Sequence, residues 1–394
     1  MDKRARLQKM HRVVSTLLLF GVWFGEIDLV SGQSLPESLP VSLHDRWSVS
    51  RGDPGSQGVS PSKLSQQPTL LWEHSISTTA FETTPIMVDG HVYLGDLDGE
   101  FYALDLMTGK ELWKDTSESG YIAAAAYQDG RLVIGDYDGM VRCLNAKDGK
   151  EIWRYETQGQ VHGGANFYKD LALVTSEGGS LYALNMADGT LKWQYETGDQ
   201  LRCAPTVAGN RTFLAGCDGK LHIVDLDQGT SVGEGLPLDG PTGSTPSTQG
   251  DIAIAATHAG TVIAFHWKDA KQLWVFADSE LSQEIQSSPA IYEKTVFVAT
   301  RNRRLLAIDA TNGSLRWEFA FRKRSDASPI VCDGRVWIGA ADGRLYAIDQ
   351  QTGKEVWLAE HPGGFNASAA IAEGKLVIAS DKGSIYCYGS AGPK

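Results

Sequence analysis

Eight residues recur at one place in a repeated segment, and they are the chain's best candidates for chemistry. They are Glu82, Ile122, His162, Arg202, Gly243, Gln286, Asp326 and Asn366. Each stands three residues before a proline, or before the residue that takes the proline's place. Polar groups of this variety on an otherwise monotonous scaffold are where a ligand site is expected. Glu82, Asn366 and Asp326 offer only oxygen, which suits a hard cation such as Ca²⁺. A solvated opening with no ligand is the plainer reading of the same ring.

A second group is defined by charge. Arg301, Arg303, Arg304, Arg322, Lys323 and Arg324 lie close together in a chain of net charge -12. They predict a docking patch for an acidic partner or an anionic polymer. Asp96, Asp98, Asp136 and Asp138 occupy matching loops earlier in the chain and predict charge segregation on that face. The overall acidity argues against nucleic acid as a partner.

Other chemistry finds no support in the residues. Asp96-Leu97-Asp98-Gly99 lacks the later glutamate of a calcium loop. His91, His222, His258 and His266 show no ligand spacing. Cys143, Cys203, Cys217, Cys332 and Cys387 form no C-x-x-C pair, and their odd count argues against a disulfide framework. Cys203 and Cys217 could pair, but buried thiols in strands fit better. No zinc site is predicted and no metal is expected.

These residues are placed by a repeat. Turn-forming positions recur at Gly99, Gly139, Gly179, Gly219, Gly260, Arg303, Gly343 and Gly383, at steps of 40, 40, 40, 41, 43, 40 and 40 residues. Trp72, Trp113, Trp153, Trp193, Trp274, Trp317 and Trp357 keep the same spacing, with an empty slot near Val232. One unit reads as four short strands: 85–88, a turn at Asp89-Gly90, 91–95, a turn at 96–99, 101–105, a turn at Thr108-Gly109, and a last strand carrying Trp113. Four strands per unit of this length predict propeller blades. The fold expected is all-β, an eight-bladed propeller over 70–388. The last unit has three strands, so the strand around Trp72 is expected to close it, leaving no exposed edge.

The chain resembles PQQ-like (quinoprotein-type) repeats. Their motif, Ala-x-Asp-x-x-Thr-Gly-x-x-x-Trp, appears as Ala103, Asp105, Thr108, Gly109 and Trp113, and as Ala347, Asp349, Thr352, Gly353 and Trp357. Looser copies hold Ala183, Gly189 and Trp193, and Ala307, Asp309, Gly313 and Trp317. The resemblance implies that the tryptophans pack between blades and lock the ring. Such repeats occur in quinoprotein dehydrogenases and in the outer-membrane assembly factor BamB, which this chain resembles in size and blade count. The expectation is a non-catalytic exported binding or scaffolding module, monomeric, with a protein or anionic polymer of the cell envelope as partner. The alternative is a PQQ-dependent dehydrogenase oxidising an alcohol or sugar. In that reading Asp326, Asn366 and Glu82 resemble the Glu, Asn and Asp around Ca²⁺ and the quinone. The chain departs from such enzymes in having no adjacent cysteine pair, no large loop insertions and no tryptophan placed to stack on a planar cofactor, so no cofactor is expected.

Flanking segments complete the expected organisation. Lys3, Arg4, Arg6, Lys9 and Arg12 precede an apolar run at 13–25, and Ser31 and Gly32 follow. Residues 1–32 thus read as a signal peptide, giving a periplasmic or extracellular mature chain without a transmembrane span. Gln33 stands where a lipidated cysteine would, so no lipid anchor is expected. Residues 33–69 are rich in Ser, Pro, Gly and Gln and read as a flexible linker, and 389–394 as a short tail.

Overall fold

The computed structural model describes residues 45–76, 78–277 and 284–390. The expected signal peptide lies outside these, as do the first part of the linker and most of the tail. Strands dominate, and there is no helix among the described residues. Consequently no helix there is long and apolar enough to cross a membrane.

The first blade shows how each unit forms. Ile86–Val88, His91–Gly95, Glu100–Asp105 and Glu111–Thr116 pair in that order as one antiparallel sheet. The middle strands are apolar on both faces because a neighbouring blade covers each side; Phe101, Tyr102, Ala103 and Leu104 are all buried. The outermost strand faces solvent and alternates. Its register shifts between Ala103, opposite Trp113, and Leu104, opposite Glu111. That bulge leaves Leu112 half exposed and aims Trp113 into the seam with the next blade. The Asp105 carboxylate accepts both the Thr108 hydroxyl and its amide at 2.7 Å, which fixes the turn before the tryptophan. These bonds, the hydroxyl's foremost, hold the Asp105 carboxyl below its usual range.

Eight such sheets follow one another. The eighth takes Ala370–Ala372, Lys375–Ala379 and Ser384–Gly389 from one end of the chain and Thr69–Ser75 from the other, with Trp72 opposite Cys387 and His74 opposite Ile385. The ring is closed by the N-terminal strand, as expected. Blade 4 departs from the pattern: its outer strand is broken into Thr230–Ser231 and Leu236–Pro237.

The tryptophans wedge the seams. The Trp72, Trp113, Trp153, Trp274 and Trp317 indoles donate to the carbonyls of Leu106, Ala146, Met186, Ala310 and Gln350 in the next blade at 2.9–3.1 Å. Trp193 packs on Gly229 in the same way, though its buried indole N–H finds no acceptor among the described residues. Trp357 meets no turn glycine among the described residues and packs on Trp337 and Tyr388, with ring centroids at 5.4 and 5.2 Å. The turn glycines are obligatory on two counts: Gly353 has φ +69°, and a Cβ there would lie 2.7 Å from Trp317. At the seam after blade 4, whose outer strand carries no tryptophan, the corresponding turn residue is Ala270, at φ 50°, and Trp267 reaches back from blade 5 onto Phe213 of blade 4, with ring centroids at 5.4 Å.

The chain before Thr69 corrects the expectation of a flexible linker. Residues 47–60 form an ordered tape that runs once around the inside of the ring. Trp47 exchanges both backbone bonds with Met87 of blade 1, at 2.8 and 2.9 Å. Carbonyls of Ser48, Pro54, Gly55, Gln57 and Gly58 then accept the amides of Tyr127, Val207, Thr248, Ile291 and Val331, on blades 2, 4, 5, 6 and 7. The Asn166 amide reaches Pro54 from blade 3, and the Ser60 hydroxyl donates to Ile371 of blade 8. Val59–Ser60 adds a parallel strand to blade 7. The inner strands have unpaired backbone groups facing the channel, and the tape satisfies them; Trp47 itself is fully buried.

Candidate functional site: a cup in the hub of the ring

Each loop entering a blade holds a buried residue one position before the polar candidate. These are Phe81, Tyr121, Val161, Leu201, Thr242, Ile285, Ser325 and Phe365, all at most 1% exposed. They pin the loops, so the next residue projects toward the axis. Seven of the eight candidates line one cavity of about 420 Å³: Glu82, Ile122, His162, Arg202, Gly243, Gln286 and Asn366. Ser50 and Arg51 of the tape form its floor. The channel is thereby a cup.

Asp326 is the exception. It does not line the cup, because its carboxylate is held at the rim by Arg301 Nε at 3.0 Å and Arg324 Nε at 3.3 Å. Of the three oxygen-bearing candidates, Glu82 and Asn366 thus line the cup together, while Asp326 is paired with arginine. The cup also has no tryptophan in its lining; Tyr137 is its aromatic residue. Among the described residues no three His, Cys, Asp or Glu side chains converge on a metal site.

His162 Nε2 meets both the side-chain amide oxygen of Gln160, at 3.0 Å, and the Glu177 carboxylate, at 2.9 Å. Burial pushes its pKa down against the pull of Glu177. Arg202 Nε reaches the same Glu177 oxygen at 2.7 Å.

The basic patch is partly neutralised. Arg301 bridges Asp326 and Glu284, the latter at 2.7 Å, and the Asp326 bond foremost raises its pKa. Arg304 pairs with Glu318 at 2.5 Å and Arg324 with Asp326. Arg303, Arg322 and Lys323 are exposed and have no ion-pair partner among the described residues. The opposing aspartates are structural in part: Asp96 is buried and accepts the Asp98 and Glu100 amides and the Tyr102 hydroxyl at 2.9–3.0 Å. Asp136 does the same work for Asp138 and Met140. The five cysteines are free, four of them buried.

Sequence reasoning missed two parts of the cup. One is Arg51, hidden in a stretch that reads as linker. The other is a ring of hydroxyls one residue before the proline position: Thr84, Thr245, Ser288, Ser328 and Ser368. From blade 4 to blade 8 these link the blades, the amides of Ala204, Thr245, Ser288 and Ser328 donating to the hydroxyl oxygens of Thr245, Ser288, Ser328 and Ser368 at 2.8–3.0 Å. The signal was present, but Ser-Pro and Thr-Pro read as turn chemistry.

With this geometry in place, the chain can be set beside known proteins. A family model described as outer membrane protein assembly factor BamB matches residues 65–125, 98–256 and 258–392. The chain belongs to this family. Among solved structures, BamB from Moraxella catarrhalis superposes with a TM-score of 0.71 at 18% identity, covering 82% of this chain and 100% of that one. A europium-containing methanol dehydrogenase gives 0.74 at 12% identity, covering 89% and 99%. The quinohemoprotein alcohol dehydrogenase from Comamonas testosteroni gives 0.74 at 14% identity, covering 89% and 82%. At these identities the likenesses show the shared propeller fold. Comparison with curated protein sequences finds no match.

Proposed function

We propose that this BamB-family propeller is a non-catalytic, exported module that binds a protein or anionic polymer in a cell envelope. The observation that carries the reading is the family match across both halves of the ring. One feature of the site agrees with it: Asp326, an oxygen ligand of the dehydrogenase reading, is paired with Arg301. Arg303, Arg322 and Lys323 supply the docking charge, being the members of the basic cluster without an internal partner. The same family membership and the basic and apolar order of residues 1–32 support the envelope location in this reading.

Affinity capture from native envelope tests this directly. The parent chain is expected to retain a defined partner, and the triple variant R303E/R322E/K323E to lose most of it at low salt. Equal capture by the variant would remove the patch from the reading. Reconstitution with PQQ and Ca²⁺ separates the alternative: dye-linked oxidation of an alcohol or sugar would replace the scaffold with a dehydrogenase.

A further inference from the structure

One side of the cup is rich in hydrogen-bond donors that have nothing to donate to. Arg51 is 3% exposed. Its Nη2 donates to the Pro329 carbonyl at 2.8 Å and to that of Pro289 at 3.4 Å. Nε and Nη1 find no acceptor among the described residues. Burial lowers the Arg51 pKa to about 10, against the opposing pull of Asp53. A buried cation with unmet N–H groups is costly, and an anion supplied from outside would offset that cost.

The hydroxyl ring points the same way. Thr245, Ser288, Ser328 and Ser368 each use a lone pair to accept a backbone amide from the preceding blade. A hydroxyl that accepts in this way still has its proton to give, and none of the four donates to a described acceptor. Blades 1 to 4 offer Thr84, Ala124, Gly164 and Ala204 at this level, a single hydroxyl. Pro289 and Pro329, toward which Arg51 reaches, belong to blades 6 and 7. Guanidinium and hydroxyl donors therefore converge on one wall.

We propose that the cup binds a carboxylate group, with Arg51 supplying the charge and the Ser288 and Ser328 hydroxyls supplying flanking hydrogen bonds. A planar guanidinium matches a carboxylate in charge and geometry. Phosphate fits less well, because it brings about -1.5 to -2 charges and the cup has one cation to spare. Arg202 is engaged by Glu177, burial disfavours the charged form of His162, and Glu82 repels a second negative charge. The carboxylate belongs either to a small organic acid or to the end of a peptide.

Calorimetric titration of the full chain distinguishes these sources. The probes are propionate, tetra-alanine, tetra-alanine amide and inorganic phosphate. Saturable binding of propionate supports a small acid; binding of tetra-alanine but not its amide supports a chain end. Either should weaken at least about tenfold in Arg51→Met, the loss of a charged hydrogen bond. Ser328→Ala leaves the floor intact and should weaken binding about threefold or more. Absence of saturable carboxylate binding to the parent chain overturns the proposal. So does affinity undiminished from the parent's in both variants, or phosphate binding as tightly as either acid.

Discussion

The rim and the hub of this ring are held together by opposite means. At the rim one device is copied: a bulged outer strand drives an indole onto the turn glycine of the next blade, as Trp153 does at Gly189. At the hub the element that crosses the blades is not copied. A single tape, 47–60, touches all eight blades with a different residue at nearly every step. A repeated wedge distributes stability in equal shares between neighbours, as expected of repeat architectures. An unrepeated tape concentrates it, since loss of one segment exposes eight inner strands at once.

The sharpest way to break this contrast is to replace 47–58 with a Gly/Ser segment of equal length. It removes the buried Trp47, Val49 and Arg51 side chains and makes the tape that bonds blades 1 to 7 costlier to order. Denaturant unfolding should show a loss of at least about 5 kcal/mol. A loss smaller than that of one rim wedge would reverse the ranking. Trp153→Ala is that wedge; it should cost about 3–5 kcal/mol by the same measurement.

A matched pair then sharpens the account of the seams. Gly353→Ala should cost about 2–3 kcal/mol, from left-handed strain and collision with Trp317. Ala270→Gly, at the seam with no tryptophan from an outer strand, should be neutral or stabilise by up to about 1 kcal/mol. Equal effects of opposite sign at both sites would mean that the indole contact contributes nothing.

The hub should also respond to pH. Burial raises the Asp53 carboxyl from 3.8 to about 6, against its bonds from the Gln57 and Gly55 amides and the charge of Arg51. The folded chain thus holds this proton more tightly than the unfolded chain. Its contribution to stability is fully present below pH 3.8 and is lost as pH rises through about 6. Asp53→Asn should therefore change in stability relative to the parent by about 2 kcal/mol between pH 4 and 7, in the variant's favour at the higher pH. A constant difference across that range would remove Asp53 from the hub's pH response. The smallest effect belongs to the rim: Arg303 occupies a glycine position at φ 61°, and Arg303→Gly should raise stability by about 0.5–1 kcal/mol in thermal unfolding.

The same contrast governs how much the sequence revealed. The blades, their number, the closing strand and the wedges were readable because each feature occurs several times at constant spacing. Seven of the eight candidates around the axis were readable for the same reason; Asp326 escaped because its neighbour Arg301, a departure from the repeat, captures it. The tape had no second copy to confirm it. Its Ser, Gly and Pro content reads as unstructured chain, since its stability comes from pairing with strands far away in sequence. Trp47 and Arg51 were the only hints, one a large apolar residue and one a cation in a polar stretch.

The closing blade has a consequence for biosynthesis. Thr69–Ser75 leaves the ribosome more than three hundred residues before Ser384–Gly389, the strand it must pair with. Until then, the earliest strand and the tape before it have lasting partners only in part, and the nascent chain carries an unsealed gap. Such distant pairing slows folding and prolongs exposure to proteases and to mispairing with other chains. A chaperone, or a passage that keeps the chain extended, would act on this protein during that interval.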